Sequence, residues 1–120
     1  MSFLSRLLGG NQLKQTDSNP VEQAVIVNFS YLGGTDLSQF FQLEEELESA
    51  INTNNVGEYD GNEVATDGSH GTLFIYGTDA DKLFDVVSPI LKKAKSIKDI
   101  TVTVRYGPPA DGVKEKVVKL

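Results

Sequence analysis

The side chains of this chain that could do chemistry are mostly carboxylates. Its 120 residues include 17 Asp and Glu but only one His and no Cys. The lack of Cys excludes a disulfide framework, a zinc-thiolate site, an iron–sulfur cluster and a thiolate nucleophile. A Ser-His-Asp arrangement or a paired-histidine metal site would depend on His70 alone, which sits in a glycine-rich turn. We therefore predict no catalytic residues and no enzyme activity.

A phosphate-binding loop is also not indicated. Gly33 and Gly34 lie between a predicted strand and a predicted helix, where exposed amides could hold an anion. No glycine-rich nucleotide fingerprint surrounds them. Asp36 places a negative charge at the start of that helix, so a tight turn is the better interpretation, and no cofactor is expected.

A calcium loop is the next candidate, because the run that begins at Asp60 resembles the start of an EF-hand loop. The sixth and twelfth positions of that pattern require Gly and an acid, and here they are Ala65 and Gly71. We predict no EF-hand site. Loose binding of a divalent ion by Glu58, Asp60 and Glu63 remains an alternative.

The charges are distributed unevenly along the chain, whose formal net charge is −6. Residues 36–85 contain twelve acids and one base, whereas residues 86–120 contain eight bases and three acids. The overall negative charge opposes a nucleic-acid partner. A one-sided acidic surface would steer a basic protein partner, although solvated glutamates also serve solubility alone. The acids that would do the steering are Glu44, Glu45, Glu48, Glu58, Asp60 and Glu63.

The elements that must position these residues follow from hydrophobic periodicity. Period-two alternation predicts a strand over residues 24–31, a weak acidic strand around 57–66, a strand over 72–76 and a strand over 99–106. Helical spacing predicts a helix from Asp36, with Gln39 completing a capping box, and a second helix over 79–95. The first helix is expected to bury Leu37, Phe40, Phe41, Leu47 and Ile51; Thr78 should cap the second, and Pro89 should kink it.

The order strand–helix–strand–strand–helix–strand predicts an α+β, ferredoxin-like βαββαβ sandwich with both helices on one face of an antiparallel sheet. We expect an N-terminal arm and linker over residues 1–20, the domain over residues 21–107, and a C-terminal tail over residues 108–120. The tail contains enough Val to add an edge strand. No signal peptide or membrane span is recognisable, so neither a membrane partner nor export is expected and a cytoplasmic location is the default.

The two faces of the predicted sheet differ in composition. The helix-facing side is predicted to carry Val25, Val27, Phe29, Leu73, Ile75, Val102 and Val104. The opposite side would carry Ile26, Asn28, Ser30, Phe74, Tyr76, Thr101, Thr103 and Arg105. Aromatic residues and Arg are typical of interface centres, so Phe74, Tyr76 and Arg105 are candidate anchors for a partner or for a homodimer through this face. The strand GTLFIYG lacks the Lys or Arg with which the signature of an RNA-recognition motif begins, so this type of RNA-binding domain is not predicted.

One stretch resembles a known family. GEYDGNEVATDGSHGTLFIYGTDADKLFDVVSPIL, followed by TVRYG and PP, is similar to small uncharacterised bacterial proteins with G-E-x-D-G-x-E, L-F-x-Y-G-x-D-A-D-x-L and R-Y-G motifs. That group has no established activity, so the resemblance implies no catalytic residues. Fold and charge are also similar to those of bacterial immunity proteins and ribonuclease inhibitors, by analogy alone.

Two functions follow as hypotheses. The first is a non-catalytic, acidic protein-binding module, such as an immunity or inhibitor protein that neutralises a basic toxin or nuclease. The alternative is a dimeric small-molecule or ion-sensing module, with its ligand between the sheet and the Gly33-Gly34 or Asp67–Gly71 loops. A dimer and a ligand-dependent rise in melting temperature would favour the alternative.

Overall fold

The computed structural model describes residues 22–120, and the predicted arm and linker at residues 1–20 lie outside them. The described part contains five strands and two helices. In chain order these are β1 (Gln23–Tyr31), α1 (Ser38–Asn54), β2 (Glu58–Val64), β3 (His70–Gly77), α2 (Ala80–Lys93), β4 (Ile97–Arg105) and β5 (Glu115–Lys119). Within residues 22–120, neither α1 nor α2 has the length and apolar composition of a membrane-spanning helix.

The strands form one antiparallel sheet in the order β2-β3-β1-β4-β5. The first four strands have the predicted ferredoxin-like arrangement, with β1 and β3 in the interior. β5 is added beside β4, so the sheet is wider than the strict four-stranded form and the tail is an edge strand as predicted. The acidic strand β2 and the lysine-containing strand β5 are therefore the two opposite edges.

The hydrophobic core lies between one face of the sheet and both helices. The alternation predicted for the three inner strands is confirmed, because the helix-facing side chains are almost completely shielded from solvent. These are Val25, Val27, Phe29, Leu73, Ile75, Val102 and Val104. Burying such apolar side chains contributes about 1.5–3 kcal/mol each, so this face is a major source of stability.

The helix starts differ from the predictions. α1 begins at Ser38 rather than at Asp36, and its N-cap residue Leu37 makes no side-chain cap hydrogen bond. Asp36 instead accepts hydrogen bonds from the Ser38 amide (3.1 Å) and hydroxyl (2.8 Å), and these bonds lower the pKa of its carboxyl. The cap of α2 is Asp79, whose carboxylate accepts from the Lys82 amide, and not Thr78.

The buried stripe of α1 also differs from the prediction, and Leu37, expected in it, precedes the helix and is only partly buried. Phe41 was predicted to lie in the core, but its side chain is 53% exposed, and Leu43 is buried instead. Consecutive helical positions are about 100° apart, so Phe40 and Phe41 cannot both face the sheet. Phe40 takes the core position and packs against the rings of Phe29 (5.8 Å) and Tyr31 (6.0 Å between centroids).

Strand boundaries shift by a few residues. β2 is shorter than predicted, whereas β3 begins at His70 and β4 begins at Ile97. β2 also contains an irregularity between Tyr59 and Gly61, where its register against β3 shifts by one residue. Gly61 has φ +114°, a conformation that favours glycine. The extra residue of this bulge is Asp60.

Candidate acidic binding site

An open groove between α1 and β2 gathers several of the predicted acidic residues. Its volume is about 440 Å³. Its walls are Phe41, Glu44, Glu45, Glu48, Tyr59, Asp60 and Gly61. We call this site the acidic groove. Four of the six acids that the sequence suggested for steering therefore lie together.

The packing of α1 sets which residues line the acidic groove. Its apolar residues, spaced three and four apart, turn one side of the helix onto the sheet. Phe41, Glu45 and Glu48 follow one another at the same spacing on a neighbouring side, so they form a second stripe above β2. The helix thereby presents an exposed aromatic ring beside exposed carboxylates.

The bulge in β2 supplies the opposite wall. In a regular strand, alternate side chains face opposite sides of the sheet. The extra residue at Asp60 breaks this alternation, so that Tyr59 and Asp60 both line the groove. The edge strand itself therefore places the Asp60 carboxylate beside α1, without a loop between them.

Glu44 is fixed in place by two donors from β2. Its Oε2 atom accepts a hydrogen bond from the Tyr59 hydroxyl and another, of 2.6 Å, from the Asn62 side-chain amide. Hydrogen bonds to an ionised carboxylate are stronger than neutral ones. Glu44 therefore links the helix to the edge strand, whereas Glu45 and Glu48 are exposed at the mouth of the groove.

The same contacts change the acidity of Tyr59. Burial of its phenol raises the pKa above the ordinary value of 10.0, and the hydrogen bond to Glu44 and the nearby negative charges of Glu44 and Glu48 act in the same direction. Tyr59 consequently stays protonated and remains a donor to Glu44 at neutral pH.

The other two predicted acids lie on the far side of the sheet. Glu58 is opposite Tyr76 and Glu63 is opposite Thr72 in the β2–β3 register. Because Leu73 and Ile75 face the helices, these positions belong to the open face. The acids of β2 thus border both sides of one sheet edge.

Phe74, Tyr76 and Arg105 occupy the open face as predicted, but their accessibility differs. Phe74 and Tyr76 are half-buried. Arg105 is only 6% exposed, with its guanidinium Nε donating to the Gly107 carbonyl at 2.5 Å. Its guanidinium also lies 6.0 Å from the centre of the Tyr76 ring, across the small side chain of Ala24. Arg105 is therefore a packed residue of this face and not an accessible anchor.

The loops suggested for a small ligand contact each other. The Tyr31 amide donates to the Ser69 carbonyl at 2.9 Å, and a Cβ atom added to Gly68 would lie 1.8 Å from the Gly34 carbonyl oxygen. His70 is exposed and shares a 2.9 Å hydrogen bond with the Ser69 hydroxyl. Direct packing of the two loops leaves no space between them at Gly68.

The three acids considered for loose ion binding are separated by the bulge. Asp60 lines the acidic groove, whereas Glu58 and Glu63 lie on the open face. Across residues 22–120, no group of three or more His, Asp or Glu side chains is placed to hold a metal ion.

Sequence reasoning missed the contributions of Tyr59, Asn62 and Phe41 to the acidic groove. Tyr59 and Asn62 were read only as parts of a weak strand, and Phe41 was assigned to the core. A signal was present, since a Gly at position 61 inside a strand often marks a bulge. The hydrogen bond between Tyr59 and Glu44 joins residues 15 positions apart in two different elements, so no local sequence pattern predicts it.

No protein-family model, curated protein or solved structure matches the chain.

Proposed function

We propose that this chain is a non-catalytic binding module whose acidic groove and adjoining β2 edge recognise a basic protein. The observation that carries the proposal is the grouping of Glu44, Glu45, Glu48 and Asp60 around one groove. A toxin or nuclease with a basic surface is the kind of partner that fits, and neutralising it is the activity expected of an immunity or inhibitor protein.

The distribution of charge across the molecule supports this proposal. β2 and α1 contribute acids at one edge of the sheet, whereas Lys114, Lys116 and Lys119 belong to β5 and the turn before it, at the other edge. The field of such a molecule is directional. A basic partner would therefore be attracted preferentially to the α1–β2 side, which raises its association rate.

The mixture of side chains in the acidic groove suits a long basic side chain. The ring of Phe41 offers apolar surface to the methylene groups of a Lys or Arg, while Glu45 and Glu48 lie where its charged end would emerge. Glu44, held by Tyr59 and Asn62, needs no rearrangement before binding. Preorganised carboxylates lose little conformational entropy when a partner arrives.

The experiment is affinity capture from lysate of the native source with three baits. They are the wild type, the groove variant Glu45→Lys/Glu48→Lys, and the control variant Asp85→Lys/Asp111→Lys. All four positions are exposed, and both variants change the net charge equally. Glu44 is left unchanged because its loss would disturb the α1–β2 contact.

The proposal predicts one basic protein recovered by the wild type and the control but not by the groove variant, and partly released by high salt. Equal recovery of every protein by all three baits would overturn it. Loss from both variants alike would also overturn it, since net charge rather than the groove would then explain the binding.

A further inference from the structure

The β5 edge strand carries outward-facing backbone groups. The Tyr106 amide donates to the Lys114 carbonyl (2.9 Å), and the Leu120 amide donates to the Ile100 carbonyl (3.0 Å). These two pairs continue the β4–β5 register at both ends. Because hydrogen-bonded pairs alternate along an antiparallel ladder, the even-numbered residues of β5 bond to β4. The amides and carbonyls of Glu115, Val117 and Lys119 therefore point away from β4, outward from the edge of the sheet.

The side chains of these three residues lie on the open face. They are opposite Arg105, Thr103 and Thr101 respectively in the β4–β5 register. Val117, at the centre of the strand, is 60% exposed. Glu115 and Lys119 stand at equal distances from it along the strand, with opposite charges.

We propose that two copies of this chain pair through β5, antiparallel and centred on Val117. Each Val117 then lies against the Val117 of the second copy, and each Glu115 lies opposite the second copy's Lys119. Roughly six backbone hydrogen bonds would join the two strands. A two-fold axis perpendicular to the sheet generates this contact, so it closes as a dimer and does not propagate.

Charge complementarity selects this register over its neighbours. A pairing centred on Lys116 would oppose two lysines directly, and one centred on Val118 would leave Glu115 without a partner. Opposite charges across a pair of strands are stabilising, and like charges are destabilising. Lysines often protect an edge from pairing. Here, however, Lys116 is turned towards Asp81 (3.9 Å) and the ring of Phe84 (5.9 Å), and Lys119 is matched by Glu115.

The opposite edge is less suited to pairing. β2 contains the bulge at Asp60, and a bulge twists an edge and interrupts its row of donors and acceptors. The β5 contact goes beyond the proposed function, because it leaves both acidic grooves at the distant ends of a continuous ten-strand sheet. Failure of either proposal would not affect the other.

The test is sedimentation velocity of the full chain from about 10 μM to about 1 mM, a range that covers weak dimers. We expect a concentration-dependent dimer. Glu115→Lys and Lys119→Glu should each weaken it about tenfold, because both symmetric charge pairs become repulsive. The double variant Glu115→Lys/Lys119→Glu restores opposite charges at both pairs and should dimerise like the wild type.

A second variant addresses the backbone. Val117→Pro removes an amide that points outward and so should abolish the dimer while keeping the β4–β5 ladder, which circular dichroism and thermal unfolding check. If Val117→Pro fails to fold, the comparison of the two single charge variants with the double variant Glu115→Lys/Lys119→Glu tests the proposal. A wild type that stays monomeric at about 1 mM would overturn the proposal, and so would a dimer that none of these variants weakens.

Discussion

At the scale of single residues, the Tyr59–Glu44 hydrogen bond is one of the two side-chain hydrogen bonds through which Glu44 joins α1 to the edge strand; Asn62 donates the other. Removing the hydroxyl in Tyr59→Phe leaves a carboxylate with one fewer donor. We expect the free energy of unfolding to fall by about 1–2 kcal/mol at neutral pH, measured by urea denaturation. Tyr106→Phe is the matched control. Tyr106 also donates to a carboxylate, Asp81, but at an exposed site where water can replace it, so little change is expected.

The same tyrosine makes stability depend on pH in the alkaline range. Because burial first, and then Glu44, raises the folded-state pKa of Tyr59 above 10.0, its contribution is fully present below about pH 10 and is lost as the pH rises further. Unfolding measured between about pH 8 and about pH 11 should show a steeper loss in the wild type than in Tyr59→Phe. Parallel curves would contradict the assignment. The raised pKa of Tyr106, caused by its bond to Asp81, is present in both proteins and cancels.

Gly68 provides a third residue-scale prediction. Its φ is +73°, and a Cβ atom there would collide with the Gly34 carbonyl at 1.8 Å. Gly68→Ala should lower the free energy of unfolding by more than about 2 kcal/mol. Gly112 has a similar φ of +80° with nothing within 4 Å of such an atom, so Gly112→Ala should cost only about 1 kcal/mol. Chemical denaturation measures both free energies of unfolding. Equal decreases in the two variants would mean that the Gly68 loop does not pack against Gly34 as described.

At the scale of elements, two side chains hold the first amides of α2: Gln23 accepts from the Ala80 amide at 2.8 Å, and Asp79 is the N-cap. Asp79 accepts a hydrogen bond from the Lys82 amide at 3.2 Å. Asp79→Ala should therefore reduce the free energy of unfolding by about 1 kcal/mol, in thermal or urea melts. Asp85→Ala removes an exposed acid from the interior of the same helix and should have almost no effect. If Asp85→Ala were the more damaging variant, the assignment of Asp79 as the cap would be wrong.

The elements show what could be predicted from the sequence and what could not. Period-two alternation in β1 and in residues 100–104 of β4 predicted both strands and their core-facing residues, because a strand with one face on the core places every second side chain there. Phe41 was misassigned because two adjacent aromatics fit the helical period equally well until the sheet selects Phe40. The burial of Arg105 depends on Ala24 and Tyr76 in neighbouring strands, which periodicity within one segment does not reveal.

The acidic groove was also predictable only in part, because some of its features depend on contacts between elements. Charge grouping along the chain singled out the acids of α1 and β2. It did not separate Asp60 from Glu58 and Glu63, since that separation is produced by the bulge against β3. Tertiary pairing therefore decides which carboxylates share the groove, whereas composition decides only that carboxylates are available.

At the scale of the whole molecule, the order β2-β3-β1-β4-β5 converts a charge gradient along the chain into a charge separation in space. The acids of β2 and α1 lie at one edge of the sheet and the lysines of β5 at the other. Such a molecule should orient a charged partner before contact. The expected signature lies in the rate of association and its dependence on salt, more than in the rate of dissociation.

The most direct measurement is the association rate constant with the captured basic partner, at about 20 mM and about 500 mM salt, for the wild type and for Glu45→Lys/Glu48→Lys/Glu63→Lys. We expect the triple variant to associate about tenfold or more slowly than the wild type at low salt, and we expect this difference nearly to disappear at high salt. An association rate that is the same for both proteins at low salt would contradict the claim that the acidic side of the molecule recognises its partner.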